Sequence, residues 1–267
     1  MIDMPSSANV FDLLSLAGRT ALVTGATGYL GSAMASALAE AGASVVVSSR
    51  RLADAQRAME GLQRAKSQHH AIEMDHLDES SIDAGFRSAV GIAGKIDILV
   101  NNGHEPLADD WRTVTGEQFT RQLSNLTGYF LLSRAMRDHV VSRAAEASIV
   151  LIGSMYGVVG SYPQVYEGIS TASPAAYHAL KGGVVHLARH LAVYWAKDRV
   201  RVNCLSPGPF PQPRVSSELV ERIAQRSPLG RVGKPEELKG AIVFLASSAS
   251  SYMTGQNLII DGGWSAW

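Results

Sequence analysis

The 267-residue sequence has one cysteine, no net charge and no long apolar run, and each shortage removes a class of protein. A lone Cys204 excludes an intrachain disulfide. The N-terminus also lacks the basic start, apolar core and small-residue cleavage site of a secretion signal, so a cytoplasmic location is expected. Twenty-four Lys and Arg against 24 Asp and Glu leave no electrostatic footprint for nucleic acid or an anionic membrane surface, and neither is expected as a partner. The longest apolar stretches, such as Ala241–Ala246, are far too short for a membrane-spanning helix. No metal is expected. What the chain has is 46% hydrophobic and only 18% charged residues, enough to bury a sizeable core. At about 150 residues per domain, its length suits one large unit over 11–267, behind a loose tail at 1–10.

From Thr20 almost to the C-terminus, short β-branched runs alternate with longer helical patterns, as in a parallel sheet covered by helices on both faces. Strands are predicted at Thr20–Thr24, Ser44–Ser48, Ala71–Met74, Ile96–Val100, Ser148–Ile152, Val200–Leu205 and Leu258–Ile260. Most are nearly continuous apolar runs, as strands buried on both faces should be. Helices are predicted over Leu30–Ala41, Leu52–Lys66, Gly116–Val141 and Pro174–Lys197, each long enough for a crossover. Two irregular stretches, Gly157–Ser173 and Pro207–Pro213, exceed ordinary connections and are expected to be functional.

The first strand runs into Thr24-Gly25-Ala26-Thr27-Gly28-Tyr29-Leu30-Gly31 and then into a helix, the context that a dinucleotide-binding turn requires. Gly25 permits the turn, Gly28 lets main chain approach a pyrophosphate, and Gly31 lets helix and strand pack closely. The helix N-terminus offers unpaired N–H groups to the anion. After the second strand stands Ser48-Ser49-Arg50-Arg51, where an acidic residue would otherwise grip a ribose 2′-hydroxyl; an arginine there can hold a 2′-phosphate, so NADP(H) is expected over NAD(H). Solvated arginines at a helix entry are the plainer alternative. Asp75 either accepts from the adenine amine or is an ordinary turn residue.

Tyr177 and Lys181 lie four apart, on one helical face, with Ser173 as the expected N-cap and Pro174 at the first helical position. An adjacent ammonium favours the phenolate and would bring the tyrosine toward the working range of a general acid/base. Taken alone, the pair is weak evidence.

Its company makes it specific. From Phe11 to Gly263 the sequence resembles the short-chain dehydrogenase/reductase family in its classical form. The resemblance rests on the glycine turn, Asn101-Asn102-Gly103, Asn125 in Ser124-Asn125-Leu126-Thr127-Gly128, Ser154, Tyr177 with Lys181, Pro207-Gly208 and the closing Ile260-Asp261-Gly262-Gly263. It implies a doubly wound Rossmann fold with a single seven-stranded parallel sheet, and NAD(P)-dependent interconversion of hydroxyl and carbonyl groups in a homotetramer or dimer. It further implies that Tyr177 exchanges the proton of the reacting oxygen, Lys181 also binds the nicotinamide ribose, Ser154 holds the substrate oxygen, and Asn125 anchors a water in a proton relay. Gly25, Thr27, Gly28, Tyr29, Leu30, Gly31, Ser49, Arg50, Asp75, Asn102, Pro207 and Gly208 are expected on the cofactor, with Tyr177 and Lys181. For Ser154 and Asn125, a strand-end hydroxyl and a buried amide satisfying local main chain are the structural alternatives.

Departures from the family pattern matter as much. Gly25, Gly28 and Gly31 follow a spacing more typical of extended members, yet too little chain follows Pro207-Gly208 for their larger substrate domain. Asn-Asn-Ala-Gly becomes Asn101-Asn102-Gly103-His104, leaving His104 near the mouth of the site, and the threonine usual after Pro-Gly is missing from Pro209-Phe210-Pro211-Gln212. The stretch from Ser154 to Tyr177 is longer than usual and carries Tyr162, Gln164, Tyr166, Glu167 and Ser170, a mixture of hydrogen-bonding groups and flat faces suited to sugars and polyols. His104, Tyr156, Tyr166 and Glu167 are therefore candidate substrate residues. Phe11-Asp12-Leu13 leading to Gly18-Arg19-Thr20 also resembles the start of gluconate 5-dehydrogenase-like members. The leading expectation is an oxidoreductase acting on a sugar, sugar acid or other polyol; alternatives are a 3-oxoacyl thioester reductase and, from another class, a non-catalytic NAD(P)-binding regulator. Tyr252, Met253, Leu258, Trp264 and Trp267 make an apolar C-terminal segment expected to dock on a partner subunit.

Overall fold

A computed structural model describes residues 9–62, 67–106, 110–170 and 174–266. Seven strands form one sheet: β1 (Thr20–Thr24), β2 (Ser44–Ser49), β3 (His70–Glu73), β4 (Ile98–Asn101), β5 (Ala147–Ile152), β6 (Val200–Pro207) and β7 (Asn257–Ile260). Their order is 3-2-1-4-5-6-7 and every neighbouring pair is parallel. The order reverses between β1 and β4, and a crevice opens beyond their carboxyl ends.

Side chains alternate along each strand, and both faces are apolar. Leu22, Val46 and Leu99 pack under α4 (Glu79–Ala93), α5 (Gly116–Ser142) and α7 (Ala175–Trp195), among Phe86, Leu132 and Val184. Their neighbours Val23, Val45, Val47 and Val100 pack under α2 (Tyr29–Glu40), α3 (Leu52–Glu60) and α9 (Lys239–Ala246), among Met34, Leu38 and Ile242. This double burial is why the strands read as continuous apolar runs rather than alternating ones. A short α1 (Val10–Leu14) precedes β1, its first turn capped by the Asn9 side chain, so helix already begins inside the expected tail, of which residues 1–8 lie outside the described residues.

A third, smaller cluster sits above the sheet. Met155, Tyr156, Val165, Ile223 and Trp264 pack with Tyr162, Tyr166 and Leu219, joining α6 (Pro163–Tyr166) to α8 (Ser217–Arg226). Arg222 of α8 donates to the Glu167 carbonyl at 2.7 Å, fixing the stretch after Ser154 from outside. Trp264 is 1% exposed and lies 5.3 Å, ring to ring, from Tyr162, so it packs on its own chain and is not free to dock on a partner. Trp267 lies outside the described residues, while Tyr252 is fully exposed.

Strand ends differ from the sequence reading by one or two residues. The helix expected over Leu52–Lys66 ends at Glu60, with residues 63–66 outside the described residues. Pro174 flanks α7 with extended backbone instead of occupying its first turn, and the expected cap Ser173 is likewise not described. Among the described residues, no helix is long and apolar enough to cross a membrane.

Candidate active site

The β1–α2 turn opens the crevice. Gly25 has a φ of +61°, where a side chain would be strained, and a Cβ on Gly31 would collide with the Gly25 carbonyl oxygen. Asn102 at the end of β4 ties the turn down: its Nδ2 donates to the Gly25 carbonyl at 3.0 Å, and Thr24 Oγ1 accepts from the main-chain N–H groups of Asn102 and Gly103 at 2.9 and 2.8 Å. Gly28 precedes α2 and makes no side-chain cap hydrogen bond, leaving the first amides of the helix for an anion.

The crevice continues into a cleft of about 850 Å³. It is lined by Gly25, Thr27, Gly28, Tyr29, Leu30 and Gly31, by Ser49, Arg50 and Asp75 beyond β2 and β3, by Asn102, and by Pro207 and Gly208 at the end of β6. Ser154, Tyr177 and Lys181 close its far end. Uncommitted helix amides at one point and an exposed Arg50 at the other fit a dinucleotide in chemistry as well as in size. Arg50 makes no hydrogen bond or ion pair among the described residues, whereas the exposed Arg51, which also lines the cleft, pairs through Nε with Asp54 at 2.6 Å. Asp75 does part of each alternative job: its Oδ1 accepts from Leu77 N at 3.0 Å in a local turn while the residue lines the cleft.

Ser154 follows β5 with extended backbone, and its Oγ accepts from Tyr156 N at 3.2 Å. Its own O–H is directed at the Tyr177 hydroxyl, at the same end of the cleft. Lys181 is 4% exposed, and its Nζ donates to the Ile152 carbonyl at 2.8 Å.

Comparison with known proteins agrees with this geometry. Residues 25–265 match the family model described as enoyl-(acyl carrier protein) reductase. D-arabinitol 2-dehydrogenase [ribulose-forming] of Scheffersomyces stipitis is 33% identical, covering 98% of this chain and 99% of that protein. Galactitol 2-dehydrogenase (L-tagatose-forming) of Cereibacter sphaeroides is 36% identical over 94% and 97%. A gluconate 5-dehydrogenase from Burkholderia cenocepacia, solved in complex with NADP and tartrate, superposes with a TM-score of 0.88 at 28% identity, over 97% of this chain and all of that one. The chain belongs to the short-chain dehydrogenase/reductase family. It is an NAD(P)-dependent oxidoreductase that interconverts a hydroxyl and a carbonyl group.

Within this short-chain dehydrogenase, electrostatics differ from the expectation that Lys181 depresses the tyrosine. Burial raises the Tyr177 phenol above its ordinary value, with the Ser154 hydroxyl pulling the other way. Burial also brings the Lys181 ammonium down to about 8. The reason is placement: Nζ is turned to the Ile152 carbonyl and lies 5.7 Å from the Tyr177 ring centre. Loss of water therefore outweighs attraction between the two groups. Tyr177 is thus a protonated acid at neutral pH.

Asn125 stands outside the cleft lining, and its amide is fully committed. Oδ1 accepts from Glu105 N at 2.8 Å and contacts His76 Nε2 at 2.9 Å, while Nδ2 donates to Gln122 O at 2.9 Å and Glu105 O at 3.2 Å. An amide offers two donors and two acceptor positions, so the side chain has nothing left for a relay water. The side chain braces α5 against the loop after β4.

His76, which belongs to no sequence motif, is the brace's other member. Its ring also explains one departure from the family pattern: an alanine at 103 would place its Cβ 3.0 Å from His76 Nδ1, so Gly103 makes room for the ring. The next residue, His104, lines the cleft 5.5 Å from Tyr177, ring to ring and edge to face. Glu105, Phe210 and Gln212 also line it. Tyr156, Tyr166 and Glu167 do not. Tyr156 is buried, its hydroxyl 2.6 Å from that of Tyr166 and its ring against His178, and Glu167 is exposed on the outer surface beside Arg222. Arg222 and Trp264 hold α6 in that position, and neither contact has a local signature in the sequence.

Proposed function

We propose that this enzyme converts a secondary hydroxyl of a sugar, sugar acid or other polyol to a ketone, and the reverse, with NADP(H) in preference to NAD(H). The polar surroundings of Tyr177, with Ser154, His104, Glu105 and Gln212 lining one cleft, carry the substrate class. The named activities of the arabinitol and galactitol relatives point the same way. Arg50 at the opposite end, unpaired among the described residues, supports the cofactor preference.

The nicotinamide supplies or accepts the hydride. In reduction, Tyr177 gives its hydroxyl proton to the carbonyl oxygen, and Ser154 donates a hydrogen bond to the same oxygen as charge develops there. Lys181, anchored on Ile152, places a positive charge near Tyr177 that stabilises the phenolate left when the proton is given up in reduction and acting as the base in oxidation. Replacing Tyr177 by Phe keeps the ring and removes the acid, so NADPH affinity should change less than about threefold while kcat falls by about 10²–10⁴. Near wild-type kcat for Tyr177→Phe on D-arabinitol or its ketose would overturn this assignment.

A further inference from the structure

Among the described residues, the lining of the cleft offers no free cation at its substrate end. Its lining includes three basic side chains: Arg50 and Arg51 beyond β2, and Lys181, which is buried under Tyr177. Arg121, near the mouth, is committed to both oxygens of Glu105 at 2.8 and 3.1 Å. Arg214 is exposed and outside the lining, and Arg222 is held by Glu218 and the Glu167 carbonyl. The stretches 107–109 and 171–173 contain no Lys or Arg in sequence. Glu105 adds a carboxylate to the same wall.

His104 is the group that remains. Its Nδ1 is sealed from solvent with no hydrogen-bond partner among the described residues, and a second N–H there would add an unpaired donor to a buried position. Burial and the Lys181 charge bring the imidazole down to about 3, so it is neutral at any working pH. Nε2 is not sealed and makes no protein hydrogen bond among the described residues, which leaves it to a ligand. A ring 5.5 Å from that of Tyr177 reaches atoms beside the one that the Tyr177 hydroxyl engages.

We propose that the site takes a neutral polyol or ketose rather than a sugar acid, and that His104, through Nε2, holds a hydroxyl on the carbon next to the reacting one. This rests on the polyol reading above and narrows it. A carboxylate would meet a neutral ring and an Arg121 guanidinium already paired with Glu105, so no free cation would balance it, whereas a hydroxyl can both donate to and accept from its surroundings.

The test compares D-arabinitol, D-gluconate and 3-pentanol on the wild-type holoenzyme, then on His104→Phe and His104→Ala, with NADPH affinity followed by fluorescence. Phe keeps the edge-to-face contact and removes the nitrogens. We expect wild-type kcat/KM for arabinitol to exceed that for gluconate at least tenfold. Either variant that binds NADPH normally should lose about tenfold on arabinitol, the effect of one hydrogen bond, and stay within twofold on 3-pentanol. Gluconate used as well as arabinitol would overturn the proposal without any variant. So would a variant that lowers arabinitol and 3-pentanol turnover alike, or neither. Failure of every polyhydroxylated compound, with turnover of an acyl thioester, would instead overturn the polyol reading itself and take this proposal with it.

Discussion

Replacing Lys181 by Met should make the protein more stable and catalytically incompetent at once. In the chain without cofactor, the ammonium is 4% exposed with one hydrogen bond among the described residues, to Ile152 O, and burial brings its pKa from 10.5 to about 8. Holding that charge at pH 7 therefore costs roughly 3 kcal/mol. Met matches the stem and carries no charge, while the lost hydrogen bond removes about 1–2 kcal/mol, so the net gain is about 1–2 kcal/mol and Tm rises by about 3–6 °C. The pH dependence fixes the cause. Between pH 8 and 10.5 the folded chain has released the Lys181 proton and the unfolded chain still holds it. The unfolded state then binds more protons, and wild-type stability climbs with pH across that window. Burial of Tyr177 acts oppositely above pH 10, but it is present in both proteins and cancels in the comparison. Thermal melts of both proteins without added cofactor should show the variant's advantage at pH 7 shrinking toward pH 10. A Lys181→Met protein no more stable than wild type at pH 7, or ahead by the same margin at pH 10, would refute the reasoning.

Arg50→Ala should raise the Kd for NADPH at least tenfold and leave that for NADH within about twofold, because Arg50 lines the cleft and makes no hydrogen bond or ion pair among the described residues whose loss would disturb the fold. Equal affinity of the wild type for the two cofactors, read by fluorescence titration, would remove the basis for that preference. A homo-oligomer is expected from the exposed apolar side chains Val193 and Tyr194 near the end of α7 and from Tyr252. Light scattering at micromolar concentration that returned the mass of one chain, 28.5 kDa, would count against it.

The parts of the fold that were legible in sequence are those whose burial is decided locally. Val45–Val47 is apolar on both faces, and β1 and β2 are legible for that reason. The boundary of β4 is not, because the Ile96 main chain pairs with the side chains of His139 and Arg143 in place of a neighbouring strand, so a buried isoleucine that looks like strand belongs to the turn before it. The same division runs through the site. Residues placed by a strand end or a helix turn, such as Arg50, Asn102, Ser154 and the Tyr177–Lys181 pair, have positions that follow from their elements. Glu167 sits in a long connection whose course is set by Arg222 and Trp264, far away in sequence, and no local pattern could have turned it to the outer surface.

His76, Gly103, His104 and Asn125 carry that argument one step further, since three of them are departures or silences when taken singly. Gly103 looks like a lost alanine, His104 like an intrusive loop residue, and His76 carries no motif at all. In space, His76 occupies the volume an alanine at 103 would need, and its Nε2 takes up Asn125 Oδ1. Asn125 in turn fixes both the N–H and the carbonyl of Glu105, the residue after His104. The wall of the substrate site is thus held from behind by a buried ring and a saturated amide. Gly103 leaves room for the His76 ring, and His104 brings an imidazole beside Tyr177. The cofactor half departs from the family's pattern as well, in its glycine spacing and in the missing threonine after Pro207-Gly208, but it keeps groups that suit a dinucleotide, whereas His104 changes the half that meets the substrate.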